Sequence, residues 1–280
     1  MTATDTTTAK MSGYAPVDGL DVYYEVHGGA PDAGTTPLVL LPGGLMAIET
    51  AWEADALPRF SRTRPVIAIE LQGHGHTADR NTDPQISQLA ADVAGVLDHL
   101  GVKKAHLLGH SLGGMVAAQV AMQRPDVVES LTVLSIIYHL DGWLEELRHF
   151  QRNPTTHQPS AELIPLLPTE EDFASWHDNF TRFNPKPESF DEVVTKINVM
   201  VTTWSGWTEE QVRSIHAPTL VAIGDNDFTR IEHAAEMYRL IPNARLAVLP
   251  NTTHMTIQLR GSWLERMLEE MFANSTAQAV

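Results

Sequence analysis

Gly109-His110-Ser111-Leu112-Gly113-Gly114 is the stretch that decides how this chain is read. It is entered from the apolar run Ala105-His106-Leu107-Leu108 and continues into Met115-Val116-Ala117-Ala118-Gln119-Val120-Ala121. Strand, tight turn and small-residue helix follow in that order, with a serine at the apex of G-x-S-x-G, the context of a nucleophile elbow. An apex serine in a strained backbone conformation tolerates no colliding side chain two positions before or after it, hence Gly109 and Gly113. The helix starts at once, so its free N–H groups face the point where negative charge would develop on a substrate oxygen. Gly113, Gly114, Ala117, Ala118 and Ala121 let that helix lie close on a sheet.

Upstream, Asp21–Val26 reads as a strand closed by Gly28-Gly29, and residues 30–36 as a loop. Pro37-Leu38-Val39-Leu40-Leu41 is continuously apolar, as in a strand buried on both faces, and ends in Pro42-Gly43-Gly44-Leu45. Such a glycine turn at a strand's carboxyl end can lend one backbone N–H to an oxyanion, the residue after Ser111 lending the other. Residues 65–71 form the next buried strand, followed by Gln72-Gly73-His74-Gly75-His76-Thr77. The two histidines lack the further clustered ligands that zinc needs, so no metal is expected there. Ile86, Leu89, Val93, Val96, Leu97 and Leu100 recur at helical spacing up to Gly101, and 128–136 is again strand. Alternating strands and helices predict an α/β fold, its sheet mostly parallel and covered on both faces.

After Tyr138 the rhythm changes. Residues 139–208 lack buried-strand runs and are rich in Trp, Phe, Pro and acidic residues, which predicts a helical cap inserted into the core. The core is then 14–138 and 209–275, preceded by a disordered polar tail over 1–13. Leu45, Trp143, Trp176 and Trp204 are the candidate substrate-lining residues. The sheet resumes at 218–224, ending in Asp225-Asn226-Asp227, and again at 244–249, ending in Pro250-Asn251-Thr252-Thr253-His254. A last helix is expected over 263–272, with a frayed tail over 273–280.

Three strand ends thus present Ser111, the Asp225/Asp227 pair and His254. A serine hydroxyl is almost un-ionised at neutral pH, so a histidine must take its proton during attack. A carboxylate then fixes the imidazole tautomer and stabilises the imidazolium. His110 adjoins the serine, but its side chain is expected to point away from the apex.

Composition narrows the remaining classes. With 280 residues, 43% hydrophobic and 19% charged, the chain suits one large globular domain with an insertion. The absence of cysteine excludes disulfides and thiolate chemistry. A net charge of −16 argues against binding a phosphate backbone, so no nucleic-acid partner is expected. Neither a signal peptide nor a membrane-spanning run is apparent, so a cytoplasmic monomer or homodimer is expected, without membrane partner, cofactor or metal.

The stretch from Val17 to Phe272 resembles the α/β-hydrolase superfamily. The marks are Leu41-Pro42-Gly43-Gly44, Glu70-Leu71-Gln72-Gly73-His74-Gly75-His76-Thr77, Gly109–Gly114, Gly224-Asp225-Asn226-Asp227 and Thr253-His254. The resemblance implies an eight-stranded, mostly parallel sheet with a helical cap after the sixth strand. It implies catalytic Ser111, Asp227 and His254, the Gly-x-x-Asp spacing favouring Asp227 over Asp225, and an oxyanion hole from Gly44 and Leu112. Pro42 stands where many relatives have histidine, and Glu70 and Gln72 replace a commoner Asp and Arg. Serine at the apex disfavours the dehalogenase and epoxide-hydrolase branches, which carry aspartate there. The expected activity is hydrolysis of a carboxylic ester or lactone of a moderately sized apolar small molecule. The alternatives are C–C or amide hydrolysis, perhydrolysis, or a receptor built on the same fold.

Overall fold

In the computed structural model, which describes residues 10–31, 34–153 and 155–277, the elbow strand lies inside a sheet of eight. The strands are β1 (Met11–Val17), β2 (Leu20–His27), β3 (Leu38–Leu41), β4 (Val66–Ile69), β5 (Ala105–His110), β6 (Val128–Leu134), β7 (Thr219–Asn226) and β8 (Ala244–Thr253). Their order is β1-β2-β4-β3-β5-β6-β7-β8. The β1/β2 and β2/β4 pairs are antiparallel and the remaining pairs parallel. Parallel strands from β4 to β8 put their carboxyl ends along one edge, where Ser111, Asp227 and His254 follow β5, β7 and β8.

The helices are α1 (Ile48–Trp52), α2 (Ala56–Phe60), α3 (Ile86–His99), α4 (Leu112–Gln123), α5 (Glu145–Arg152), α6 (Glu170–Phe183), α7 (Phe190–Thr203), α8 (Glu209–Arg213), α9 (Ile231–Leu240) and α10 (Gly261–Ala277). Side chains alternate across a strand, and β3 shows the consequence. Val39 and Leu41 join a core with α3, α4 and α9, whereas Leu38 and Leu40 join a second core with α1, α2 and α10. All four are fully buried, each worth about 1.5–3 kcal/mol relative to exposure. The central strands therefore read as unbroken apolar runs. Between β6 and β7 the described residues form α5–α8 and short 3-10 turns but no strand.

Two expectations need correction. The polar tail expected over 1–13 lies outside the described residues as far as 9, but Met11–Gly13 open β1. They pair with β2 through a hairpin whose turn residues, Asp18 and Gly19, have φ of 44° and 73°. Positive φ at both positions matches strand twist, and Asp-Gly is a favoured pair for it. At the other end α10 runs through residues 273–277, expected to fray, and 278–280 lie outside the described residues.

Candidate active site

The serine is held by backbone geometry. Ser111 has φ 50° and ψ −120°, a conformation that costs an L-residue of order 1–3 kcal/mol and persists only when its surroundings enforce it. Its N–H donates to the Leu134 carbonyl at 2.9 Å, and its own carbonyl accepts from Met115 N–H at 2.9 Å. A side chain at Gly109 would strike the Gly113 carbonyl, and one at Gly113 the carbonyls of Leu41 and Pro42. The turn thus packs backbone against backbone, as the G-x-S-x-G spacing requires.

Asp227 and His254 meet across the ends of β7 and β8. His254 Nδ1 lies 3.0 Å from Asp227 Oδ1, and both residues are buried. Ser135 Oγ donates to Asp227 Oδ2 at 2.5 Å, and Thr229 N–H donates to Oδ1 at 2.8 Å. Burial pushes the Asp227 carboxyl up, but the His254 ring and these two donors outweigh it, and the group ends below its ordinary value of 3.8. Asp227 is therefore an anion whose charge faces His254. The Phe228 ring stacks on the imidazole, centroids 3.9 Å apart. Asp225 turns the other way, accepting from Thr252 N–H at 3.1 Å and Asn226 Nδ2 at 2.8 Å where the β7/β8 register shifts.

Ser111 and His254 line one cavity of about 160 Å³ together with Gly43, Gly44, Leu112 and Phe228. Among the described residues no hydrogen bond joins Ser111 Oγ to the ring; such contacts are often long before substrate binds. Gly44 adjoins Leu112, since a Cβ built on Gly44 would lie 3.9 Å from the Leu112 Cβ. Leu112 is the first residue of α4, whose N–H has no acceptor within the helix. The helical segment covers the cavity with Trp143, Gln151, Pro168, Trp176, Ile197 and Val201. Trp143 and Trp176, read from sequence as lining residues, are thus on the wall. Leu45 and Trp204, also expected there, are not. Leu45, with φ 67°, packs into the core beside α1, and Trp204, capping α7, packs edge-on against Trp207 at 4.9 Å. A wider depression of about 680 Å³ lies beside Arg80 and Lys186, away from Ser111.

Two site residues escaped the sequence reading. Ser135 directly follows β6 with φ 56°, and only the three-dimensional neighbourhood of β7 shows what it touches. His110, expected to point away from the apex, is buried on the cavity side and donates Nε2–H to the His254 carbonyl at 2.9 Å.

The loop after β4 is tied differently from its expected pattern. Glu70, fully buried, accepts from Ile48 N–H at 3.1 Å and pairs with His76 Nδ1 at 3.2 Å. Gln72 bridges Asp79 and Arg80, and Arg80 grips Asp92 with both terminal nitrogens. Burial holds His74 neutral, its value lowered to about 4. Among the described residues two groups of side chains have metal-ligand spacing, Glu49/Glu70/His76 and His139/His233/Glu236, and none of the six lines the Ser111 cavity. In the second group His233 Nε2 already accepts from Tyr138 N–H at 3.0 Å, so ligation through Nδ1 would demand an imidazolate.

A family model described as the alpha/beta hydrolase fold matches residues 36–259. RutD of Caulobacter sp. (strain K31), whose name assigns it provisionally as a carbamate hydrolase, is 28% identical over 249 residues, covering 84% of this chain and 88% of that protein. Est816, described as an N-acyl homoserine lactone degrading enzyme, superposes with a TM-score of 0.71 at 28% identity, covering 92% of this chain and 99% of its own. The 2-hydroxy-6-oxo-6-phenylhexa-2,4-dienoate hydrolase BphD of Rhodococcus sp. strain RHA1 superposes with a TM-score of 0.75 at 20% identity, covering 95% of this chain and 100% of its own, a likeness of fold.

Proposed function

The chain belongs to the α/β-hydrolase family, and we propose that it is a serine hydrolase cleaving a carboxylic ester or lactone of an uncharged, largely apolar small molecule. The observation that carries this reading is the buried His254–Asp227 pair on the wall of the cavity that Ser111 lines. Asp227 accepts the Nδ1–H of His254, which leaves the Nε2 lone pair free for the serine proton. Ser111 Oγ attacks the carbonyl carbon while Nε2 takes that proton. The tetrahedral oxyanion accepts hydrogen bonds from the Gly44 and Leu112 N–H groups; one such donor is typically worth ~10²–10³ in rate. Nε2 returns the proton to the leaving oxygen, and an acyl-enzyme remains. Water, deprotonated by His254, then releases the acid and restores the serine.

Among the described residues the cavity wall has no Asp, Glu, Lys or Arg side chain, so a charged substrate would find no counter-ion in them. Among the described wall residues outside the reacting set, Gln151 carries a side-chain amide, suited to a carbonyl or amide on the substrate. The resemblance to Est816 supports a lactone. The resemblance to RutD supports a second reading, a carbamate, whose carbonyl would pass through the same acyl chemistry.

A panel of nitrophenyl esters, γ-lactones and carbamates assayed with the wild-type protein and Ser111→Ala tests this. Many turnovers on an uncharged ester or lactone, abolished by Ser111→Ala, are expected. Equal behaviour of the two proteins, or no turnover on any acyl substrate, would contradict it.

A further inference from the structure

His110 is buried in the wall of the site. It belongs to the elbow by sequence, yet its Nε2–H reaches across to the His254 carbonyl at 2.9 Å. Its ring centroid lies 5.0 Å from that of His254. On its other side Nδ1 is buried without a hydrogen-bond partner among the described residues. That nitrogen faces the backbone of Gly43, where a Cβ would come to 2.8 Å from it and 3.2 Å from Met46 Sδ. One ring therefore reaches three of the loops that the chemistry requires, the elbow, the His254 loop and the Gly43-Gly44 turn.

The geometry points to His110 as a positioning residue, keying the His254 loop and the Gly43-Gly44 turn to the elbow so that base and oxyanion donors share one frame. This rests on the serine-hydrolase reading above. A misplacement of about 1 Å in such a frame can cost on the order of 10²-fold in rate. The role also requires an uncharged ring. The Nε2–H donor fixes the tautomer, and burial, followed by the neighbouring His254, holds the group neutral, its value lowered to about 3. A second cation beside His254 would oppose the imidazolium that forms during attack. Among the described residues, Asp227 is the anion that acts on the ring from the neighbouring loops, and it opposes that lowering.

The test compares His110→Gln, which keeps an N–H donor at similar reach, with His110→Met, which has similar length and no donor. Steady-state kinetics on the best ester or lactone and melting curves are recorded for both. His110→Met is expected to lose about 10²-fold in kcat with KM within about twofold, and His110→Gln to regain most of the loss while melting no higher. Equal kcat in the two variants, or a loss confined to KM, would overturn the role. Should either variant fail to fold, ¹⁵N spectra of the wild-type imidazoles decide. A fixed Nε2–H tautomer for His110 down to about pH 5 is required, and an Nδ1–H tautomer or titration above that pH would overturn the role. Ser111→Ala separates the two readings. If it is inactive while His110→Met keeps full kcat, only the positioning role fails; if it is active, both fail.

Discussion

Asp227 is kept ionised by contacts and in spite of its burial, and that balance can be probed one atom at a time. Asp227→Asn leaves the shape but removes the acceptor that selects the His254 tautomer, and kcat should fall by roughly 10⁴. Asp225→Asn, at a residue whose hydrogen bonds among the described residues go to the β7/β8 backbone and Asn226, should change kcat less than about twofold. The reverse ranking in steady-state kinetics would misassign the acid. The pH dependence follows from the same contacts. The folded Asp227 carboxyl lies below its ordinary value of 3.8, so it adds stability above that pH and loses it as pH falls through the depressed value. Asp227 and His110 both titrate well below neutrality, so neither should add a proton to the acid limb of kcat/KM above about pH 5, and its slope should not exceed one. A slope of two on a logarithmic plot would contradict this.

At the scale of elements, the helical segment between β6 and β7 is pinned to the core by a side chain at the end of α6. Asn184, buried, donates Nδ2–H to the carbonyls of Gly75 and Thr77, each at 3.0 Å. Two neutral hydrogen bonds of about 0.5–1.5 kcal/mol each connect the wall bearing Trp176 to the loop after β4. Asn184→Ala should lower stability by about 1–3 kcal/mol, speed amide exchange in α6 before the sheet and raise KM more than it lowers kcat. Uniform loss across α6 and the sheet would contradict a local pin. Elements differ in how openly the sequence announces them. The elbow and the buried strands declare themselves because backbone crowding dictates glycine, and burial on both faces dictates unbroken apolar runs. β1 is quieter: of its residues only Ala15 is buried, so the turn at Asp18-Gly19 was its one clear mark. The wall was half legible for the same reason. An aromatic residue packs as readily into a core, as Trp204 does on Trp207, as it faces a cavity, and composition does not separate the two. His110 and Ser135 were illegible because their partners, His254 and Asp227, follow strands distant in sequence.

Over the whole molecule, two apolar cores on opposite faces of the sheet carry the stability, while a net charge of −16 opposes compaction. Raising salt from about 0.01 to 0.15 M shortens the Debye length from ~30 to ~8 Å and should raise Tm, because long-range repulsion is screened more than the close Arg80–Asp92 pair. A fall in Tm would mean that ion pairs outweigh the repulsion. Among the described residues no helix is long and apolar enough to cross a membrane. The sheet's remaining task is geometric, delivering three residues from the ends of β5, β7 and β8 to one edge.

The most direct measurement is the site of acylation. The protein is mixed with a slowly hydrolysed nitrophenyl ester, quenched within one turnover and mapped by peptide mass spectrometry. The expected result is one acyl group on Ser111 in the wild type, none in Ser111→Ala, and a strongly slowed appearance in His254→Ala. Acyl groups on another residue, or steady turnover with Ser111 unmodified in the presence of substrate, would contradict it.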